Sequence, residues 1–305
     1  MAEEIKKRKF KHRVSGRANT IMTAVCIALA VAIVLGVLYL CGIRYVKYNF
    51  RDGFSVKFIG VTDVHGYPKV GRLSYSGNDE VKGLSASINA GDKSITYSNG
   101  DVYTGDMQDL VKHGKGKLVY RNGDVYEGTF IADKPSGEGV LTFANGDKYQ
   151  GSFEYGKRTG KGTYTFSDGS KYEGEFLNGL KDGEGVYTAA DGSKYEGTYK
   201  NNLKSGNGIY TYNDGSTYEG EFADDMRWGK GVYTYSNGEI YEGEFQNNYP
   251  WGKGTYTWPD GRTYTGYFEN GLPVIVDDKD SDKDTDEEKE KEKEKEKDND
   301  KDKDN

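Results

Sequence analysis

A fixed step of 23 residues constrains this chain more than any other feature. Tyr-x-Gly recurs at Tyr103, Tyr126, Tyr149, Tyr172, Tyr195, Tyr218, Tyr241 and Tyr264. Gly-x-Gly, beginning at Gly114, Gly137, Gly160, Gly183, Gly206, Gly229 and Gly252, runs in phase with it. So does an Asn-Gly or Asp-Gly pair ending at Gly100, Gly123, Gly146, Gly169, Gly192, Gly215, Gly238 and Gly261. Such a period marks a repeat architecture, in which each copy buries its apolar face only against its neighbours.

Each copy reads as two strands. In Lys171-Tyr172-Glu173-Gly174-Glu175-Phe176, alternation puts Tyr172, Gly174 and Phe176 on one face and Lys171, Glu173 and Glu175 on the other. Gly183 to Tyr187 gives the second strand, with Leu177 to Asp182 as the hairpin loop between them. Asp191-Gly192 carries the signature of a type I′ turn and links one copy to the next. The fold class expected is all-β, an elongated single-layer antiparallel meander of stacked hairpins. Leu, Ile, Val and Phe make up under a fifth of the chain, whereas Gly accounts for 43 and Tyr for 26 of the 305 residues. A Tyr ring can lie flat across a neighbouring strand only where no Cβ intervenes, so aromatic rings over aligned glycines replace an aliphatic core. The repeat positions expected to carry this packing are Tyr126, Gly128, Tyr149, Gly151, Tyr172, Gly174, Tyr195, Gly197, Tyr218, Gly220, Tyr241 and Gly243.

The pattern Y-E-G-E-F, a Gly-containing loop, G-x-G-x-Y-T and D-G resembles the MORN (membrane occupation and recognition nexus) repeat over roughly residues 97 to 271. The likeness is close in Tyr172 to Phe176 with Gly183 to Tyr187, and in Tyr218 to Phe222 with Gly229 to Tyr233. The first copy (Tyr103-Thr104-Gly105-Asp106-Met107) and the last (Tyr264-Thr265-Gly266-Tyr267-Phe268) depart from it as capping repeats would. Upstream, Gly71 to Tyr75 and Gly91 to Tyr97 echo the second strand. The resemblance implies an attachment or oligomerisation module and, through the family name, binding of membrane lipid headgroups.

Residues 21–43 form an uncharged, mostly apolar run that spans ~34 Å as a helix, against a hydrocarbon core of ~30 Å. The run is longer than a cleavable signal h-region, and Leu40 before Cys41 does not suit a lipobox. Seven Lys or Arg precede it and three soon follow, which places the N-terminus in the cytoplasm and the rest of the chain outside, as a signal anchor. Both cysteines, Cys26 and Cys41, fall in this run, and no N-x-[ST] sequon occurs anywhere, which suits a bacterial surface protein. At the far end, residues 277–305 hold 16 Asp or Glu and 9 Lys with no apolar residue, and a disordered tail is expected. The organisation expected is therefore 1–20 a basic cytoplasmic arm, 21–43 a transmembrane helix, 44–70 a juxtamembrane segment, 71–96 a degenerate repeat, 97–276 the repeat array and 277–305 the tail.

No catalytic constellation is legible, and no metal or cofactor site is expected. His12, His65 and His113 are scattered, and Glu173, Glu196, Glu219 and Glu242 are equivalent positions in successive copies, whereas an acid–base pair needs unlike environments. Asp168-Gly169 lacks EF-hand spacing, and Gly-x-Gly opens no helix. The formal net charge of −7 argues against nucleic acid, and no small-molecule substrate is expected. All three Trp residues lie in the last two copies. Arg227, Trp228, Tyr249, Trp251 and Trp258 are the candidate partner contacts, the competing reading being a cap over the open sheet edge. The function expected is a non-enzymatic, single-pass membrane-anchored scaffold binding a protein or a second copy of itself. Lipid-headgroup binding and cell-wall glycan binding are the alternatives.

Overall fold

The computed structural model describes residues 2–50, 53–77 and 83–274, with side chains from Thr20 onward. The expected tail, 277–305, lies outside the described residues. The chain opens with helix α1 (Ala2–Leu40). Within it Thr20–Leu40 has a mean hydropathy of 2.9 and none of it is buried, so it is long and apolar enough to cross a membrane. The helix stops at Leu40 rather than at 43, because Gly42 takes a left-handed φ of +76° and Ile43 opens strand β1 (Ile43–Asn49). Arg44 closes this end. Its guanidinium donates to the Tyr39 carbonyl at 2.6 Å and lies 3.7 Å over the Tyr39 ring, setting a cation at the negative end of the helix dipole.

Beyond the helix the protein is all-β. It divides into two compact units, Met1–Lys157 and Arg158–Asn305, and in each the paired strands are antiparallel and successive in the chain. In the first unit the stretch 44–70 supplies β1, β2 (Ser55–Thr62) and the start of β3 (Pro68–Ser76). Strands β4 (Ser85–Asn89) to β10 (Lys148–Glu154) complete that unit, and β11 (Lys157–Thr165) to β21 (Leu272–Pro273) form the second.

Both turns of the repeat differ from the expected assignment. Between β12 (Lys171–Leu177) and β13 (Leu180–Thr188) the loop contracts to Asn178-Gly179, with φ of +52° and +89°, and this is the type I′ turn. Asn201-Asn202, Asp224-Asp225 and Asn247-Asn248 repeat it with both residues at positive φ. At Asp191-Gly192 only Gly192 has positive φ. Its N–H donates to the Ala189 carbonyl at 3.0 Å, and the Asp191 carboxylate accepts the Ser193 N–H at 2.9 Å. That is a turn followed by a left-handed glycine. The Asp serves through its side chain, not its backbone freedom.

The two glycines of Gly-x-Gly do different work. Gly174 faces Gly185, but Phe176 faces Lys181, so Asp182, Gly183 and Glu184 stand opposite the single residue Glu175. Gly183, at φ +109°, makes this bulge. Gly185 instead lies under the Tyr172 ring: a Cβ there would come within 2.5 Å of Tyr172 Cε2 and 2.6 Å of Cζ. The Tyr172 hydroxyl donates to the Glu175 carbonyl at 3.0 Å, at the point where the bulge interrupts the ladder. Tyr126, Tyr149, Tyr195, Tyr218 and Tyr241 make the same bond to the residue three further on, at 2.9 to 3.1 Å. A phenylalanine would leave that acceptor unmet, which accounts for tyrosine here.

The rings interlock edge to face. Tyr172 is completely buried, with Phe176 at 5.2 Å and 88° and Tyr199 of the next copy at 5.1 Å and 85°. In the first unit Tyr126 stands in the same way between Phe130 and Phe153. The device begins upstream of the 71–96 stretch: Gly60 faces Gly71, and a Cβ on Gly60 would lie 2.8 Å from Cζ of the fully buried Phe58. Without a hydroxyl, Phe58 escaped the Tyr-x-Gly pattern.

Candidate docking faces

In the second unit the sheet has one aromatic and one polar face. Tyr172 stands opposite Tyr187, and Tyr187 opposite Tyr195 of β14 (Lys194–Lys200). Outside the buried tyrosines runs a second, half-buried aromatic row. From Tyr210 it passes to Tyr212 (4.4 Å), Tyr233 (5.7 Å), Tyr235 (4.5 Å), Tyr256 (6.1 Å) and Trp258 (5.1 Å) without a break. The polar face carries Glu173, Glu196, Glu219 and Glu242, all exposed. Its ion pairs, such as Lys194 with Glu196 at 2.7 Å, are solvated and contribute little.

Cations lie on the aromatic face at the repeat spacing. Lys181 Nζ is 4.6 Å from the Tyr199 ring centre and 5.4 Å from that of Tyr172. Lys204 Nζ is 5.0 Å from Tyr210 and 5.5 Å from Tyr195. Arg227 stands 4.8 Å over Tyr233, and Arg158 5.2 Å over Tyr164. Arg158 and Lys181 share a pocket of about 270 Å³ with Tyr164, Phe166, Tyr172 and Phe176. Burial lowers the pKa of Lys181 and Lys204, partly offset in both by the Asp225 carboxylate. Neither ammonium has a hydrogen bond or an ion pair among the described residues. Arg227 donates from one terminal nitrogen to the Asn248 carbonyl, while its Nε is buried without a partner.

The backbone of these cationic positions is clamped by the next hairpin turn. Asn202 Oδ1 accepts the Lys181 N–H at 2.8 Å, and the Asn202 N–H returns a bond to the Lys181 carbonyl at 2.8 Å. Asp225 with Lys204 and Asn248 with Arg227 repeat the clamp. In the first unit Asp133 clamps Lys112 in the same manner. There the ammonium is buried, 3.1 Å from the Asp133 carboxylate and 2.9 Å from the Tyr97 hydroxyl.

The five candidate contacts do not form one patch. Arg227 faces Phe222 and belongs to the aromatic face, as does Trp258 through Tyr256. Trp251 stands opposite Glu244, whose neighbours Gly243 and Phe245 are on the aromatic face, so alternation puts Trp251 on the polar face. Trp228, one repeat earlier, takes the equivalent position. Trp228 and Trp251 are 40% and 38% exposed, and Tyr249 is exposed beside the turn. Sequence reasoning missed Arg158, Lys181 and Lys204, because it assigned their positions to loops. Their signal was the same 23-residue step. Of the histidines, His113 sits within strand β7 (Val111–Val119) and His65 in an exposed turn. Among the described residues no three metal-ligating side chains converge.

A meander of hairpins with tyrosines packed over paired glycines defines a β-hairpin repeat protein. The MORN repeat profile matches residues 103–125, 126–148, 149–171, 172–194, 195–217, 218–240 and 241–261, more than half of the chain, and the chain belongs to the MORN repeat family. No curated protein matches the sequence. Among solved structures the chain is similar to the TCP domain of SAS-4 (dCPAP) from Drosophila melanogaster, determined in complex with a proline-rich motif of Ana2 (dSTIL). The identity is 14%, the TM-score 0.33, and the match covers 57% of this chain and 88% of that one. It is similar at 15% identity and a TM-score of 0.16 to a streptogramin B lyase, covering 78% of this chain and 84% of that one. Both scores lie far below the level of a shared fold.

Proposed function

We propose that the chain is a non-enzymatic, single-pass membrane scaffold that holds its MORN array at the outer face of the cell membrane, with the N-terminus in the cytoplasm. There the array docks a protein partner or a second copy of itself. The observation that carries this reading is a sheet with no second layer over it among the described residues. The half-buried aromatic row from Tyr210 to Trp258 faces outward on one side, and Trp228 and Trp251 stand exposed on the other. Aromatic and Arg side chains supply most hot-spot energy at interfaces. The orientation rests on seven Lys or Arg before the apolar helix against three soon after it.

Cross-linking on intact cells, followed by identification of the adducts, tests the reading. A discrete adduct that weakens in Trp228→Ala/Trp251→Ala is expected, and an adduct spectrum unchanged by that pair would remove those residues from the contact. Anionic lipid is the less favoured ligand, because residues 20–276 carry 26 Lys or Arg against 31 Asp or Glu. Co-flotation of the full chain in zwitterionic nanodiscs with anionic vesicles at low salt would restore it, and retention on purified cell wall would favour glycan instead.

A further inference from the structure

The first three strands carry on their outer face a composition that the repeat copies do not share. Phe58 and Gly60 belong to the aromatic face, so Ile59 and Val61 stand on the opposite one. There Ile43, Val61 and Val70 form one row across β1, β2 and β3, and Tyr45, Ile59 and Arg72 form the next. Lys47, Lys57 and Ser74 make a third. Tyr45, Ile59, Val61 and Val70 are all exposed, and no Asp or Glu stands on this face of the three strands. In the repeats the same face pairs opposite charges, as in Lys117 with Glu127 at 2.6 Å.

The turn at the end of β2 departs in the same direction. The Gly66 N–H donates to the Asp63 carbonyl at 3.1 Å and the Asp63 N–H to the Tyr67 carbonyl at 2.8 Å, and the turns at 97–101 and 120–124 make the same two bonds. Val64 and Tyr67 therefore hold the positions of Ser98 and Asp101 in one, and of Arg121 and Asp124 in the other. Val64 is 94% exposed and Tyr67 67%. Asp63, the one acid of this turn, has its carboxylate engaged by the His65 and Tyr67 N–H groups, both at 2.9 Å.

The course of the chain says what covers these side chains. Thr20–Leu40 spans ~32 Å as a helix and fills a hydrocarbon core of ~30 Å, so Ile43, three residues on, lies in the headgroup layer. Strand β1 leads away from the helix, and β2 returns antiparallel to it until the Thr62 N–H meets the Gly42 carbonyl at 3.0 Å. The 63–67 turn thus runs past the start of β1, beside the helix end. Successive rows are ~6.6 Å apart along the strands. Counted from the helix end, apolar side chains come first, then Tyr45 with Arg72, then the two lysines, which is the order of a membrane interface.

We propose that this edge of the sheet, from the 63–67 turn to the Lys47–Lys57 row, is seated in the headgroup layer of the leaflet where the helix ends, its cations on lipid phosphates. The proposal rests on the helix crossing the bilayer and holds on either side of the membrane. The lipid is the chain's own bilayer, and the acidic balance of residues 20–276 does not oppose the contact, because exposed charges act over only about 10 Å. Seating fixes the attitude of the first strands, which would otherwise swing on Cys41-Gly42.

The full chain in nanodiscs of mixed phosphatidylglycerol and phosphatidylcholine tests the seating, with Cys26→Ser/Cys41→Ser removing the native thiols. Single cysteines are placed by Val64→Cys, Ile59→Cys and, as the control at the same turn position, Ser98→Cys. A neutral poly(ethylene glycol) maleimide is expected to modify position 64 at least about fivefold more slowly than 98, the factor that one cation near an anionic surface supplies. Bimane attached at 64 and at 59 should be quenched by lipids spin-labelled near the headgroup, and at 98 should not. Equal modification at 64 and 98, or bimane at 64 and 59 as free of quenching as at 98, in chains that stay with the disc would overturn the proposal and leave the helix standing. A chain that elutes apart from the disc would remove both.

Discussion

Gly185→Ala isolates the contact between ring and glycine. The methyl would come within 2.4 Å of the Tyr172 hydroxyl oxygen, 2.5 Å of Cε2 and 2.6 Å of Cζ, far inside van der Waals contact, and these three nearest atoms all belong to that side chain. Gly185 does not have positive φ, so the backbone itself accepts Ala. The ring, held between Phe176 and Tyr199 and bonded to the Glu175 carbonyl, has to leave its slot. Removing a buried aromatic outright costs ~3–5 kcal/mol, which sets the ceiling, and overpacking a fixed core costs ~1–3 kcal/mol. We expect Gly185→Ala to cost about 3 kcal/mol and Tyr172→Ala about 4 kcal/mol, with the double variant no worse than Tyr172→Ala alone. Because repeat arrays unfold locally, the assay is amide hydrogen exchange of β12 and β13 in all four proteins, supported by urea denaturation. Additive penalties, near 7 kcal/mol in the double variant, would show that the glycine is required for something other than the ring.

Further outcomes follow from the same geometry. Gly192→Ala, at φ +88° with open space around it, should cost ~1–2 kcal/mol through backbone strain alone, and Gly192→Asn less than that, measured by urea denaturation. Burial holds the Tyr126, Tyr172 and Tyr241 phenols up at about 12. Each folded pKa therefore exceeds its unfolded value near 10, and the stability tied to it is complete below pH ~10 and lost as pH rises through 12. Far-ultraviolet circular dichroism against pH should show alkaline unfolding in that window, and an array intact at pH 12.5 would contradict it. Asp133→Asn keeps a residue suited to left-handed φ and the bond to the Lys112 N–H, as Asn202 does for Lys181, but leaves the Lys112 ammonium buried without its counter-charge. A loss of ~1–3 kcal/mol is expected, read by hydrogen exchange in β7 and β8 (Val125–Ile131).

What could be read from the sequence was whatever repeats in chemistry as well as in position. Tyr172, Gly174 and Gly185 recur unchanged in kind, so their strands and shared face were legible before any coordinates. Turn geometry was not, because an Asn or Asp followed by Gly stands for two different turns here. Asn178-Gly179 uses backbone freedom at both residues, whereas Asp191-Gly192 uses one carboxylate and one glycine. Gly183 and Gly185 looked alike as Gly-x-Gly, and only the register separates a bulge from the floor beneath a ring. The cation row escaped because its members vary between Lys and Arg and sat in stretches assigned to loops. Nor could the sequence show that Trp228 and Trp251 lie on the face opposite Trp258. Nearness in sequence says nothing about which side of a strand a residue occupies until its neighbours are fixed.

The central claim is that an apolar helix holds this array outside the cell, open to a partner. Protease added to intact cells carrying an N-terminally tagged chain tests it most directly. Cleavage within 44–274 that leaves a tagged, membrane-bound fragment ending beyond the helix is the predicted result. A chain that stays whole until the cells are lysed, and is then cut, would contradict it.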